Sequence, residues 1–298
     1  MRVHHLNCGS MCPLGQRLLT GDGGWTDSAH LCCHCLLLEG RNGLILVDTG
    51  LGTRDVAHSA SLGGMFLNTF RPRLLMSETA LHQIRDLGFD PRDVRHIVPT
   101  HLDLDHAGGI ADFRHADVHV YAPELQAALK PRSLHERMRY QAQQWAHGPR
   151  WVSHDLNGDR WFGMNAVRAL PGTEDEVLLV PLVGHTRGHS GVAVKTDGGW
   201  LLHCGDAYFY RGEIDAEPTC PIGLKWMQTL LAEDNTQRLA NQRRLRILKD
   251  HFGDEIAMTS AHDPVELSLL ASAAHYRAQT SGSTHAHRDR EWEQSAAA

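Results

Sequence analysis

One stretch constrains this chain more than any other: Thr100-His101-Leu102-Asp103-Leu104-Asp105-His106-Ala107-Gly108-Gly109. Four side chains able to bind metal stand at spacings 0, 2, 4 and 5, with leucines between the first three. His96-Ile97-Val98-Pro99 just before it reads as a short buried strand, and Ala107-Gly108-Gly109-Ile110 just after it as a tight entry into a helix. Open α/β folds gather their chemistry in loops at the C-terminal ends of strands. Imidazole and carboxylate are the donors that hold Zn, Fe or Mn. In a chain with 22 histidines an isolated His carries little weight. This spacing, directly after a strand, is what raises the expectation of a metal site.

Composition narrows the setting. A chain of 298 residues can form one large domain or two small ones, and either buries an ample core. A hydrophobic fraction of 42% and a mean hydropathy of -0.34 fit a soluble globular protein. No apolar run approaches the length of a membrane span, so no membrane partner is expected. The N-terminal Met-Arg-Val-His-His-Leu-Asn-Cys has no signal-peptide core, and a cytoplasmic location is the expectation. Net charge is -6 with no long block of like charge, which disfavours a nucleic-acid partner. Arg132, Arg137 and Arg139, then Arg243, Arg244 and Arg246, read as solvated helix faces. Seven cysteines, an odd count, argue against a disulfide framework. Cys32-Cys33-His34-Cys35 runs straight into Leu36-Leu37-Leu38. Alternating strand residues cannot all face one ion, so these read as buried thiols.

Read in order, residues 1–8 form an edge strand. Residues 34–38 and 44–47 form a hairpin about Asn42-Gly43, and the second strand runs out in Asp48-Thr49-Gly50. Residues 53–76 read as irregular. A helix begins at an N-cap Ser77, buries Ala80, Leu81, Ile84 and Leu87, and stops at Gly88. A strand over 118–121 and a helix over 123–130 follow the His101 loop. Residues 131–170 hold Trp145, Trp151 and Trp161, which either line a pocket or fill a core. Later strands are expected at 176–182, 192–196, 200–204 and 256–259, and helices at 221–231, 235–249 and 264–278.

Several strand ends now carry matching signals. His101-x-Asp103-x-Asp105-His106 resembles the His-x-His-x-Asp-His signature of the metallo-β-lactamase superfamily, with Asp103 where the second His normally stands. Asp48-Thr49-Gly50 resembles the superfamily's Asp-Thr-Gly turn, whose Asp supports the metal loop without ligating. Gly184-His185-Thr186-Arg187-Gly188-His189 resembles its Gly-His-Thr-x-Gly-His element, which assigns a ligand role to His185 and a structural one to His189. Gly205-Asp206-Ala207 looks like the bridging aspartate, and Ala261-His262 like the closing Ala-His step. Five motifs in the family's order span Asp48 to Asp263. The resemblance implies an α/β fold, the four-layer αβ/βα sandwich, in a single domain over 1–280 with two pseudo-equivalent β-rich halves and a flexible tail over 281–298.

It also implies a chemistry. One divalent ion would take His101, Asp103 and His185, and a second Asp105, His106 and His262, with Asp206 between them. Zinc is the leading metal, with manganese or iron open because Asp103 adds a harder, charged donor. A hydroxide held by both ions is the implied nucleophile, oriented by Asp105. The spacing of 21 residues from His185 to Asp206 is similar to that of acyl homoserine lactonases, which place a Tyr three residues past the bridging Asp. Here Phe209 holds that position, flanked by Tyr208 and Tyr210; either Tyr could serve, with Tyr208 taken as the candidate. The expected function is a metal-dependent hydrolase opening a lactone or other small ester, acting on a small-molecule substrate. The alternative is an iron-dependent oxidoreductase of sulfur dioxygenase or diiron type. The sequence sets no oligomeric state.

Overall fold

The runs Leu36-Leu37-Leu38 and Leu44-Ile45-Leu46-Val47 offer no polar face, the pattern of strands covered on both sides. In the computed structural model, which describes residues 1–155, 157–174 and 176–274, they lie in β2 (Leu31–Gly40) and β3 (Gly43–Val47). The two strands are joined by the short Arg41-Asn42 turn. With β1 (Arg2–Met11), β4 (Val94–Val98), β5 (Asp117–Tyr121) and β6 (Arg150–His154) they form a six-stranded sheet ordered β1-β2-β3-β4-β5-β6. β1 to β3 pair antiparallel and β3 to β6 parallel.

The second sheet is built from β7 (Asp159–Trp161), β8 (Met164–Ala169), β9 (Val177–Pro181), β10 (Ser190–Thr196), β11 (Gly199–His203) and β12 (Ile256–Thr259). Its order is β12-β11-β10-β9-β8-β7, with β11 and β12 parallel. Leu36, Leu38, Ile45, Val47, Val98 and Tyr121 meet Val177, Leu179, Val192, Val194 and Leu201 between the sheets. Each such side chain contributes about 1.5–3 kcal/mol by leaving water. Tyr121 completes the seam by donating its hydroxyl to the Leu179 carbonyl (2.9 Å). On the outer face of the first sheet lie the helices Ala80–Asp86 and Ala122–Leu129, which insert Ala80, Ile84, Ala127 and Ala128. The helix Asn235–Phe252 covers the second with Leu245 and Leu248. The expected αβ/βα sandwich is what the chain forms.

Details differ from expectation. Residues 53–76 contain the short helices Thr53–Ala57 and Gly64–Phe70. The helix expected from Ser77 starts at Ala80, with Thr79 at the N-cap position, because 76–78 coil into a tighter turn first. The tryptophan-rich segment spans the junction of the halves and supplies an edge strand to each sheet, β6 and β7. Trp145 and Trp161 are buried in the two outer cores and Trp151 packs against the first, so this segment fills core. A helix covers 264–274; the remainder of the expected 264–278 helix and the 281–298 tail lie outside the described residues. Among the described residues no helix is long and apolar enough to cross a membrane.

Candidate metal centre

Five strand ends deliver their loops to one edge of the sandwich: 48–50 after β3, 99–106 after β4, 182–189 after β9, 204–206 after β11 and 260–263 after β12. Backbone bonds lock them together. Thr49 N–H donates to the His106 carbonyl (2.7 Å), Ser190 N–H to Thr100 (2.8 Å) and Ala261 N–H to Gly205 (3.1 Å). Gly205 takes a positive φ of 53°, and a Cβ there would lie 2.6 Å from His189 Nε2. Any larger residue would push Asp206 out of place.

These loops bring together all seven candidate donors. Asp206 sits at the middle. Its Oδ1 lies 3.2 Å from His106 Nε2 and 3.1 Å from His262 Nε2. Its Oδ2 lies 3.3 Å from His185 Nε2 and 3.8 Å from His101 Nε2. Asp103 Oδ2 joins the second pair, 3.3 Å from His101 Nε2 and 3.2 Å from His185 Nε2. Asp105 Oδ2 joins the first, 3.6 Å from His262 Nε2 and 3.8 Å from His106 Nε2. The four imidazoles are at most 2% exposed at the side chain, while Asp105 is 13% and Asp103 18% exposed. The cluster therefore opens to solvent on its carboxylate side.

The surroundings aim the histidines. His106 Nδ1 donates to Asp48 Oδ2 (2.9 Å) and His262 Nδ1 to the Cys32 carbonyl (2.7 Å). Thr100 gives its hydroxyl proton to Asp48 Oδ2 (2.9 Å), so its oxygen accepts from His101 Nδ1 (3.0 Å). With Nδ1 committed, each of these three rings presents a bare Nε2 to the cluster, whereas His185 Nδ1 has no partner among the described residues. His189 is used differently. Its Nδ1 donates to the Leu182 carbonyl (3.0 Å) and its Nε2 accepts from the Asp206 N–H (2.9 Å), a positioning contact.

Whether a cation fits is tested by these atoms. The Nε2 atoms of His106 and His262, both with Nδ1 donating elsewhere, face each other at 3.3 Å. Two lone pairs at that distance repel unless a cation or proton lies between them. His101 Nε2, Asp103 Oδ1 and Asp206 Oδ1 are buried without a hydrogen-bond partner. The edge of a tetrahedron of nitrogen donors about 2.0–2.1 Å from a metal is about 3.3 Å, close to most of the spacings above. The donor set fits divalent metal.

Charge follows the same logic. Burial would raise Asp206, but His262, His106, His185 and His101 hold its carboxyl well below the usual range. Burial takes His185 down to about 4, so it is neutral and ready to ligate. Burial also opposes charge on His106, yet Asp206, Asp48 and Asp105 raise it well above its usual value. Without a cation the carboxylates recruit a proton there.

Three residues were not assigned to the site by the sequence. Arg139, expected on a solvated face, is instead 6% exposed at the side chain and pairs with Asp103 Oδ2 (3.1 Å). It also donates to the carbonyls of His185 and Leu231. Arg132 and Arg137 are exposed as expected. Burial alone would raise Asp103, but Arg139 with His101 keeps its carboxyl well below the usual range. Glu124 is wholly buried and accepts from Leu102 N–H (2.9 Å), Tyr140 O–H (3.0 Å), Thr186 O–H (2.7 Å) and Gly188 N–H (3.0 Å). It ties the loops of the two sheets together. Cys33 places its sulfur within 4.8 Å of donors on Asp105 and His262.

Tyr208 is a correction. It is fully buried, packs with Cys204, Ala207 and Leu245, and donates its hydroxyl to Glu266 (3.1 Å). Adjacent side chains on extended backbone point to opposite sides, and it is Phe209 whose ring lies 4.7 Å from that of His262 and 6.1 Å from that of His185. Tyr210 stacks with Arg211 (4.8 Å).

Two facing sheets, helices outside and a His-carboxylate cluster at one edge define an αβ/βα metal-site sandwich. The family model described as the metallo-beta-lactamase superfamily matches residues 32–252, and the chain belongs to that superfamily. It is 43% identical over 274 residues to a probable metallo-hydrolase of Mycobacterium tuberculosis, covering 92% of this chain and 84% of that protein. An N-acyl homoserine lactonase of Bacillus thuringiensis is 28% identical over 185 residues, 61% of this chain and 66% of the relative. The structure of a B. thuringiensis AiiA variant with N-decanoyl-L-homoserine at its active site aligns with a TM-score of 0.67 at 22% identity, covering 89% of this chain and 94% of that one. AidC, a dizinc quorum-quenching lactonase, aligns at 0.56 and 16% identity, covering 88% and 87%.

Proposed function

We propose that this chain is a metal-dependent hydrolase that opens a lactone or other small carboxylic ester at a two-metal centre. The carrying observation is that the two oxygens of Asp206 face two separate histidine pairs, the geometry of a carboxylate shared by two cations. His101, Asp103 and His185 would hold one ion; Asp105, His106 and His262 the other; zinc suits the imidazole-rich set. Divalent cations held there would supply a water of lowered pKa and a Lewis acid for a substrate carbonyl. Asp105, on the solvent-open side, accepts a hydrogen bond from the attacking water and orients it. Phe209 walls the imidazoles with an apolar face, which suits an acyl chain and supplies no hydroxyl to the substrate. Tyr208, turned to Glu266, takes no part. The superfamily membership and the lactonase relatives support a small-molecule substrate.

The test is a panel of lactones, including acyl homoserine lactones, with esters, thioesters and β-lactams, on metal-loaded protein. Hydrolysis of a lactone or ester that disappears in Asp206→Ala is expected. Activity on no member beyond the Asp206→Ala level overturns the proposal. The oxygen donor of Asp103 also favours harder metals, the observation behind the oxidoreductase reading. Iron as the native metal together with oxygen uptake would replace hydrolysis by that reading.

A further inference from the structure

The four thiols Cys32, Cys33, Cys35 and Cys204 are all buried, but they are not alike. Cys32, Cys35 and Cys204 each give S–H to a backbone carbonyl, of Ala261 (3.5 Å), Cys33 (3.7 Å) and Leu202 (3.6 Å). Cys33 makes no such bond among the described residues. Its backbone N–H is held by Asn7 Oδ1 (3.1 Å), and its sulfur turns inward so that Cys33, Asp105 and His262 offer donor atoms all within 4.8 Å of one another. Met11 and Leu31, with Phe66, Phe70 and Met227 packed beside them, surround the thiol on its other sides. Gly9 keeps space there: a Cβ would sit 3.2 Å from the sulfur. The same His262 Nε2 lies 3.1 Å from Asp206 Oδ1, a buried carboxylate oxygen without a hydrogen-bond partner. An unpartnered acceptor and an unpartnered thiol thus meet at one imidazole.

We propose that Cys33 is a sulfur ligand at the position shared by Asp105, His106 and His262. A sulfur about 2.3 Å and a nitrogen about 2.0–2.1 Å from a tetrahedral ion lie about 3.6 Å apart. The Asp105 and His262 donors lie at most 4.8 Å from the sulfur, so closing on either of them takes a shift of at most about 1.2 Å. Binding exchanges the thiol proton for a metal–sulfur bond, with the proton leaving to solvent. The consequence is an asymmetric centre. Sulfur favours zinc over manganese at this position, whereas Asp103 gives the other position an oxygen donor suited to harder ions.

The inference rests on the two-metal reading above, and one set of samples separates the two. Zinc K-edge X-ray absorption on the unmodified holoprotein, with metal content measured on the same material, is expected to show a sulfur shell at about 2.3 Å. Cobalt-loaded wild type is expected to show a thiolate-to-cobalt charge-transfer band in the near ultraviolet. That band is expected to vanish in Cys33→Ser and persist in Cys35→Ser. Two metals per chain without sulfur overturns the Cys33 assignment and leaves the two-metal reading standing. One metal per chain without sulfur overturns both. A band that survives Cys33→Ser overturns the assignment as well. If Cys33→Ser does not fold, the absorption measurement on wild type decides alone.

Discussion

Replacing Glu124 by glutamine should damage both stability and metal affinity, and the size of the effect can be worked from four hydrogen bonds. Oε1 accepts from the Leu102 N–H and the Tyr140 hydroxyl; Oε2 accepts from the Thr186 hydroxyl and the Gly188 N–H. Glutamine must turn its NH2 to one side or the other. A hydroxyl on that side can rotate and accept; a backbone N–H cannot. Whichever way the amide points, one buried N–H is left without an acceptor, at a cost of about 1–3 kcal/mol. The bonds that survive lose their charged acceptor, which on average costs roughly 1 kcal/mol each. The sum is about 4 kcal/mol, a large part of the 5–15 kcal/mol typical of a folded domain. Leu102 separates His101 from Asp103 and Thr186 follows His185, so loosening these loops should also weaken metal binding about 10–100-fold. Urea unfolding of the metal-free protein measures the first quantity and chelator competition the second. A Glu124→Gln protein within 1 kcal/mol of wild type, with unchanged metal affinity, would refute the view that this carboxylate locks the two loop sets.

Other perturbations have equally definite outcomes. Asp103→Ala, purified without added metal or chelator, should carry about one metal per chain and wild type about two; elemental analysis counts them, and equal contents would remove Asp103 from the proposed ligand set. Arg139→Gln should destabilise the metal-free protein by about 3–5 kcal/mol, because Asp103 loses its buried counter-charge, yet tighten metal uptake by removing a nearby cation. Denaturation with and without zinc should show the two opposite signs. His119 is buried between His96 (3.0 Å) and His154 (3.1 Å), and burial, with its two neighbours, takes it down to about 3. Its unfolded form, near 6.5, binds a proton that the fold refuses, so stability is fully present above pH 6.5 and falls as pH drops toward 3. Wild type should therefore lose about 2 kcal/mol more than His119→Gln between pH 7.5 and 5.0. Comparing the two proteins cancels Glu266, which is raised to about 7 and acts with the opposite sign.

The sequence revealed the parts of the site that are local. A His-x-Asp pair of candidate donors that begins three residues past a strand end, a bare Gly before Asp206 and an Asn-Gly turn are all read within a few positions. What it hid were pairings across distance. Glu124 stands in the first turn of a helix, where an acid is ordinary for reasons of helix polarity, and nothing local says that its carboxylate is buried under two loops. Cys33 was correctly placed in a buried strand. The alternation argument excludes four neighbours from facing one ion but does not exclude one of them. Tyr208 and Phe209 differ by a single position, and the choice between them depended on the backbone direction after Asp206.

Arg139 shows most plainly what such pairing does. Read alone, Asp103 in place of imidazole adds one negative charge to its cluster, and that charge should weaken the acidity of any metal held there. The structure sets a guanidinium 3.1 Å from that carboxylate. Aspartate with arginine carries the same net charge as a neutral imidazole. In the proposed two-metal centre the first position would thus keep the charge of an all-nitrogen cluster while exchanging a nitrogen donor for an oxygen. Any departure in metal preference should then come from donor hardness rather than from charge. Arg139→Gln, which restores the uncompensated carboxylate without altering the donor atoms, separates the two causes.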